Sequence, residues 1–523
     1  MSSSNNINNN NSEICNFYRN KSIFITGATG FLGKALIEKL LRSCYDLNKI
    51  YILIRHKKGK TPAQRLDEFL DCKVFEKVSQ FYPEYRDKLV VIEGDLVEPN
   101  LGISEKDREI LRKNVNVVFH SAATVRFDEP LKVAISMNIL GTKKVIDLCK
   151  EIENLKIFVH VSTAYANCDR PRITEEVYPP PVQPEKIIEA AEWMDDSLIN
   201  LITPSIIKNR PNTYTYTKAI AESLIIKECK EMPCCIVRPS IIGGSWKEPF
   251  AGWIDNFNGP TALFPASGTG VLRSMLGHLD AVADLIPVDV VVNTLLAAGW
   301  YRGVERTKKT IVYHCTSGQI NKLTWGMMND YGVDCFLKNP FEKIFIVPNP
   351  HFTPHKSVKY LRTFFEQLIP AYLMDFFLRL LKRKPMFVKI QKKIKKAITI
   401  LEYFTTHNWE FTNDNYLMLM KELNDPDKKM FNFDIKDLNW RSYIEQYCLG
   451  TKIFLMKEDV SNLNACRKNI EKMKRIQNLA IFSIYAIVFR FILLRSARFK
   501  TFIQFIFELA IKFRDYFLKS IQF

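Results

Sequence analysis

The stretch SIFITGATGFLGKALIEKLL, Ser22 to Leu41, decides the fold. Its first five residues read as a strand that runs straight into Gly27-Ala28-Thr29-Gly30-Phe31-Leu32-Gly33. Lys34 to Leu41 then has the spacing of an amphipathic helix. Strand, glycine turn and helix in that order make a dinucleotide turn. The glycines permit a tight bend and a close backbone approach, so that a pyrophosphate can rest on free N–H groups at the positive end of the helix. Three glycines alone also serve as plain turns. Their place between strand and helix is what gives Gly27, Thr29, Gly30, Phe31, Leu32 and Gly33 a cofactor-binding role.

Outward from this turn, apolar runs alternate with helical patterns as far as Pro239, which implies βαβ units around a parallel sheet. Six strands are expected: Ser22 to Thr26, Lys49 to Ile54, Leu89 to Glu93, Asn116 to His120, Lys156 to Val161 and Cys234 to Arg238. They are short and rich in Val and Ile, as a sheet covered on both faces requires. The fold class is therefore α/β, a Rossmann-type doubly wound parallel sheet. Arg170 to Asn212 interrupts the rhythm with Pro179, Pro180, Pro181, Pro184, Pro204 and Pro211, and reads as an inserted lid. Ile241 to about Pro350, with Gly- and Trp-rich loops and an isolated strand at Thr310 to His314, should cap the sheet. Four segments result: a disordered Asn/Ser-rich tail at 1–20, a cofactor-binding domain with substrate cap at 21–350, a mainly helical domain at 351–460, and a basic, apolar tail at 464–523.

With 47% hydrophobic and 25% charged residues, the chain is neither disordered as a whole nor a polytopic membrane protein. The net charge of +18 is concentrated in two segments, Arg379 to Lys396 and Asn464 to Phe523, so the rest of the chain is neutral overall. That distribution argues against a nucleic-acid partner, whose binding domain would spread its basic surface over the fold. The twelve cysteines are scattered without metal-ligand spacing, so no metal site and no disulfide framework are expected. In the tail, Leu479 to Leu494 is apolar except for Ser483 and Arg490. As a helix it spans ~24 Å, short of a ~30 Å hydrocarbon core, which leaves a short anchor, a re-entrant hairpin or a surface position open. Beyond it, Lys500, Gln504, Glu508, Lys512, Asp515 and Lys519 form a polar stripe opposite Phe502, Ile506, Leu509 and Phe513, the pattern of an interfacial helix.

The second strand ends in Arg55, His56, Lys57 and Lys58 rather than in the acid that usually meets a ribose 2′-hydroxyl, so Arg55 and Lys58 point to NADPH. Asp95 and Leu96 would edge the adenine, and Ser121, Ala122 and Ala123 offer small residues where the cofactor passes. Tyr214 and Lys218, four residues apart, share one face of the helix that precedes the sixth strand. Ser162 and Thr163 follow the fifth strand, so these hydroxyls can converge on Tyr214 at the carboxyl ends of the sheet. Hydride delivery to a carbonyl builds an alkoxide that needs a proton or hydrogen bonds. A tyrosine beside an ammonium supplies them, and Lys218, together with any positive nicotinamide, is expected to bring the phenol pKa down from about 10.

TGATGFLG at Thr26 to Gly33, FHSAATVRFDE at Phe119 to Glu129, FVHVSTAYAN at Phe158 to Asn167, NTYTYTKAIAE at Asn212 to Glu222 and EYFTTHNWEFTNDN at Glu402 to Asn415 stand together in order. In these runs the chain resembles the alcohol-forming fatty acyl-CoA reductases, members of the extended short-chain dehydrogenase/reductases, from about Lys21 to Glu458. The resemblance implies that Asn138, in the NILGT run, joins Thr163 or Ser162, Tyr214 and Lys218 as the catalytic set. It further implies that long-chain acyl-CoA is reduced by NADPH, through an aldehyde, to a primary fatty alcohol of wax or ether lipid synthesis, with release of CoA. No catalytic cysteine is needed, and Cys168 and Cys315 are expected to be inert. The rivals are an extended reductase of sterols or nucleotide sugars and a non-catalytic dinucleotide-sensing scaffold, which would tolerate loss of the tyrosine. A membrane-associated body facing the cytosol is expected, at the endoplasmic reticulum or the peroxisome. A homodimer stays open.

Overall fold

The computed structural model describes residues 11–56, 59–305, 309–495 and 497–520. Seven strands form one all-parallel sheet: β1 (Ser22–Thr26), β2 (Ile50–Ile54), β3 (Leu89–Glu93), β4 (Val115–His120), β5 (Ile157–Val161), β6 (Cys234–Pro239) and β7 (Ile311–Cys315). Their spatial order is β7-β6-β5-β4-β1-β2-β3. β1 pairs with β2 on one side (Phe24 opposite Tyr51) and with β4 on the other (Phe24 opposite Val118). The winding therefore reverses between β1 and β4, and the crevice above their carboxyl ends is where a doubly wound sheet receives its ligand. β1, β2, β5 and β6 are buried along their whole length, because helices cover both faces.

Two expectations are corrected. The strand read as isolated within the cap is β7, the seventh member of the main sheet, running beside β6 with Val312 opposite Ile236. The helix Val288–Val304 makes the crossover, and it is buried almost all round, which hides the amphipathic signal that would have announced it. Secondly, within the tail expected to be disordered over 1–20, residues from Ser12 onward are ordered. Ser12 caps the helix Glu13–Tyr18 by accepting from Cys15 N (3.0 Å), and the Asp427 carboxylate accepts from Glu13 N (3.0 Å). Phe17 and Tyr18 from that helix fill the space left by Gly303 and Gly299, where a Cβ would meet the Phe17 ring at 2.4 Å and the Tyr18 hydroxyl at 2.6 Å. Residues 1–10 lie outside the described residues. The core runs across position 350: Tyr416, Phe433, Trp440, Tyr443 and Tyr447 belong to the same buried cluster as Ile23, Ile25 and Val159.

After the body come two long helices, Leu463–Arg495 and Ala497–Ser520. Phe482 and Tyr485 on the first, and Phe507 and Phe513 on the second, are exposed. Among the described residues no helix is long and apolar enough to cross a membrane.

Candidate active site

A cavity of about 570 Å³ opens over the carboxyl ends of the central strands. At one end lies the glycine turn. Gly27 sits at φ +75°, and a Cβ there would come within 2.7 Å of Ala122 N; one on Gly33 would come within 2.3 Å of Gly27 O. Only glycine allows this approach of turn, helix and β4 loop. Gly30 caps the helix Phe31–Ser43 without a side-chain hydrogen bond, so its first N–H groups remain available to an anion. The residues fit a dinucleotide: a cradle that any side chain would fill, ending on unsatisfied donors.

Gly27, Thr29, Gly30, Phe31, Leu32, Gly33, Arg55, Asp95, Leu96, Ser121, Ala122 and Ala123 all line this end. The Arg55 guanidinium, 59% exposed, lies 3.8 Å from the Asp95 carboxylate. Ser121 is turned inward, donating from Oγ to Thr26 O (2.8 Å). Lys58 falls outside the described residues. Arg65, which the sequence reading missed, also lines the cavity and donates to the Arg55 carbonyl. It stands within the helix Pro62–Leu70, and nothing in its spacing distinguishes it from a surface arginine.

The middle of the cavity holds Ser162, Thr163, Tyr214 and Lys218. Asn212 caps the helix Thr213–Glu228, accepting from Thr215 N (2.9 Å), and so sets Tyr214 in its first turn beside the end of β5. The Thr163 hydroxyl beside the phenol draws its pKa down, but burial outweighs this and pushes it up to about 12. The expected lowering by Lys218 is thereby corrected: desolvation dominates, and the tyrosine is a neutral phenol at physiological pH. Lys218 is buried and donates from Nζ to Val161 O (2.7 Å); burial brings its pKa down to about 8, while Glu222 opposes that shift. The open choice between hydroxyls is narrowed by geometry. Ser162 Oγ donates to Glu222 Oε1 (2.5 Å), and Glu222 is held by Arg238 through Nε (2.8 Å) and an NH2 nitrogen (2.7 Å).

Asn138, which the resemblance places in the catalytic set, stands behind the cavity wall. It sits fully buried on the π-helical turn Ile135–Leu140, donating from Nδ2 to Thr217 Oγ1 (3.0 Å) and accepting on Oδ1 from Thr124 N (3.0 Å). It does not line the cavity; it ties the loop after β4 to the Tyr214 helix. Beneath Lys218, His120 bridges Thr26 Oγ1 (2.7 Å) and Thr142 Oγ1 (3.1 Å), and burial lowers its pKa to about 3, so it stays neutral. Cys168 and Cys315 are buried thiols, each pushed up to about 12 by desolvation.

The far end is apolar: Phe127, Ile241, Leu263, Trp325, Leu401 and Phe404. An aromatic row leads into it from the phenol, with Tyr214 and Phe127 centroids 5.8 Å apart and Phe127 and Phe404 5.4 Å apart. The expected lid is corrected here. No residue of 170–212 lines the cavity; its helices Pro184–Trp193 and Asp196–Ile207 send Ile187 and Ile199 into the buried cluster with Ile135 and Ile139 instead. The roof comes from the helix Phe387–Thr406, whose aromatic-rich end was visible in sequence but not its position.

Two family models, both described as male sterility protein, match residues 25–295 and 366–458. Over 504 residues the chain is 46% identical to fatty acyl-CoA reductase 1 of Mus musculus, covering 96% of this chain and 98% of that protein. The chain belongs to the fatty acyl-CoA reductase family. Fatty acyl-CoA reductase 2 of Bos taurus is 43% identical to it over 509 residues, covering 97% of this chain and 99% of that one. Among solved structures, the terminal R domain of the myxalamid PKS-NRPS pathway superposes with a TM-score of 0.56 at 20% identity, covering 83% of this chain and 90% of the other. The reductase domain of a nonribosomal peptide synthetase from Mycobacterium tuberculosis gives 0.55 at 18%, covering 85% and 96%. At such identities these two show the fold alone. As a member of that family the protein is an NAD(P)-dependent oxidoreductase, built on a nicotinamide dinucleotide fold.

Proposed function

We propose that this reductase converts long-chain fatty acyl-CoA to the primary alcohol at the expense of two NADPH, releasing CoA and passing through the aldehyde. The observation that carries the reading is the single cavity in which Tyr214, Thr163 and Lys218 stand between a dinucleotide cradle and an apolar, aromatic-walled end. Arg55 and Arg65 beside the end of β2 favour a 2′-phosphate over a bare ribose.

A bound reduced nicotinamide supplies the hydride in each of the two rounds. Thr163 and Tyr214 hold the carbonyl oxygen, and the phenol, kept protonated by burial, hands its proton to that oxygen as charge develops. Lys218, fixed on the Val161 carbonyl one helical turn away, favours the phenolate left behind. The first reduction gives a hemithioacetal. Its C–S bond breaks as the hydroxyl returns its proton to the Tyr214 phenolate, leaving aldehyde and the CoA thiolate, a leaving group whose thiol has a pKa near ~8.5, so no protein nucleophile is required. The same Tyr214 protonates the second alkoxide. Phe127 and Phe404 keep water from the reacting carbon and accept the acyl chain. As part of this reading the tail helices rest on an endoplasmic reticulum or peroxisomal membrane, supported by exposed Phe482, Phe507 and Phe513.

The test is turnover of palmitoyl-CoA in detergent with NADPH consumption, free thiol and alcohol all quantified. Two NADPH per thiol are expected; one would mean that reduction stops at the aldehyde, and oxidation of NADPH by sterol or nucleotide-sugar substrates without thiol release would replace the reading. Tyr214→Phe should lower kcat by about 10²–10⁴ with NADPH affinity retained. Undiminished turnover removes Tyr214 from the mechanism.

A further inference from the structure

The helix Ile369–Leu380 is inside out. Ala371 and Asp375 face the body, while Ile369, Tyr372, Leu373, Phe376, Phe377 and Leu380, at spacings of three and four, form an exposed stripe. Exposure along it runs from 37% at Ile369 to 63% at Leu380. Single exposed apolar residues are ordinary, but a continuous row of six is an interaction surface.

The support behind this stripe is fastened. Asp375 accepts from Met386 N and Phe387 N (both 2.8 Å) and from Val388 N (3.0 Å), stapling the turn into the next helix, Phe387–Thr406. Gln391 Nε2 donates to Val271 O (2.9 Å), and Gln367 Oε1 accepts from Arg273 N (3.2 Å), anchoring the hairpin at both ends. On Phe387–Thr406 the pattern is normal: Phe387, Gln391 and Ile398 are buried, and Lys389, Lys392 and Lys393 project from the opposite face, while Lys396 Nζ pairs with the Asp128 carboxylate (2.7 Å). From Arg379 to Lys396 nine residues are basic and none is acidic.

We infer that the hairpin of Ile369–Leu380 and the first turns of Phe387–Thr406 is a docking surface for an anionic lipid bilayer, separate from the C-terminal helices. The apolar stripe enters the acyl boundary, and the lysines meet acidic headgroups. Charge decides against a second copy of the chain, because a two-fold contact would bring the same basic run against itself. The placement serves the reaction. The helix that carries the lysines ends in Leu401, Phe404 and Thr405 on the cavity wall, ~21 to ~27 Å along its axis from Phe387, so one rigid element joins the bilayer surface to the acyl end of the site. The docking surface does not depend on which acyl substrate is reduced.

The experiment is hydrogen–deuterium exchange on the full chain, alone and with vesicles of phosphatidylcholine or of phosphatidylcholine with about one third phosphatidylserine. Slowed exchange across 369–396 is expected with the anionic vesicles and not with the neutral ones. Slowing confined to 463–520 overturns the inference, as does slowing of 369–396 that depends on protein concentration without vesicles, which would assign the surface to a second copy. No response to any vesicle would give it to a protein partner and equally overturns it. Leu373→Asp/Phe377→Asp should abolish the protection while CoA release from a short, soluble acyl-CoA is unchanged. Lys389→Glu/Lys392→Glu should weaken partitioning to anionic vesicles by more than about tenfold. Protection that survives both variants sinks the proposal, whereas loss of thiol release in the unmodified protein would sink only the proposed reaction.

Discussion

Between Ser162 and Thr163 one step along the chain separates two hydroxyls: the first bonds Glu222, and the second stands beside the Tyr214 phenol and lowers its pKa. The sequence presents the two residues as equivalents, because alternation along a strand end cannot be read without knowing which face holds the substrate. Thr163→Ala should therefore lower kcat by about 10²-fold with little change in melting temperature, as expected when a donor to the developing oxyanion is removed. Ser162→Ala should act chiefly on stability, costing about 1 kcal/mol through the lost bond to Glu222. Equal effects on kcat would mean that both hydroxyls reach the substrate. Lys218 sets the pH dependence. Its ammonium, with a pKa near 8, is present below that pH and lost above it, so kcat/KM for thiol release should fall as pH rises through about 8. The phenol, at about 12, contributes no limb in this range. The loss is not unfolding: a lysine whose pKa is depressed in the folded state adds stability as pH rises from about 8 towards its unfolded value. A flat rate profile from pH 7 to 9.5 would exclude Lys218 as the controlling group.

Among the elements, the glycine turn was the most legible, since strand, turn and helix are contiguous and each glycine answers to a local clash. Gly33→Ala tests this directly. Its Cβ would meet backbone at Gly27 O, which cannot rotate aside, so helix and strand must separate. A cost of about 1–3 kcal/mol is expected, seen together as weaker NADPH binding in a fluorescence titration and a lower melting temperature. Normal affinity would mean that the turn is not the cradle. The crossover helix Val288–Val304 and β7 were harder to read, because a helix buried on every side shows no amphipathic period and a lone five-residue run shows no partner. The inserted helices of 170–212 misled for the opposite reason: proline punctuation marks an insertion but says nothing of which face it packs against.

At the scale of the whole molecule, the active site is braced from a distance. Arg238 is fully buried, pairs with Glu222, and also donates to His314 Nε2 (2.9 Å), Thr174 O (3.1 Å) and Glu176 O (2.8 Å). His314 in turn bonds Thr412 O through Nδ1 (2.8 Å), so the insertion, the sheet edge and the C-terminal region meet at one guanidinium. Arg238→Met should destabilise the fold by about 3–5 kcal/mol, because it leaves the Glu222 carboxylate buried and unpaired. Adding Glu222→Gln should restore part of the melting temperature. If the single variant melts like the parent protein, the brace is not what holds these parts together.

What the sequence determined alone was whatever depends on neighbours a few residues apart: the parallel α/β class, the dinucleotide turn, and the Tyr214–Lys218 pair on one helical face. Tertiary structure alone decided which hydroxyl meets the phenol, that Asn138 bonds the Thr124 backbone and Thr217 away from the cavity, and that Leu401 and Phe404 close its apolar end from nearly two hundred residues away. It also set the sign of the tyrosine's shift. Burial is a property of everything packed around a group, and at Tyr214 that desolvation outweighs what its chain neighbour four residues on was expected to do.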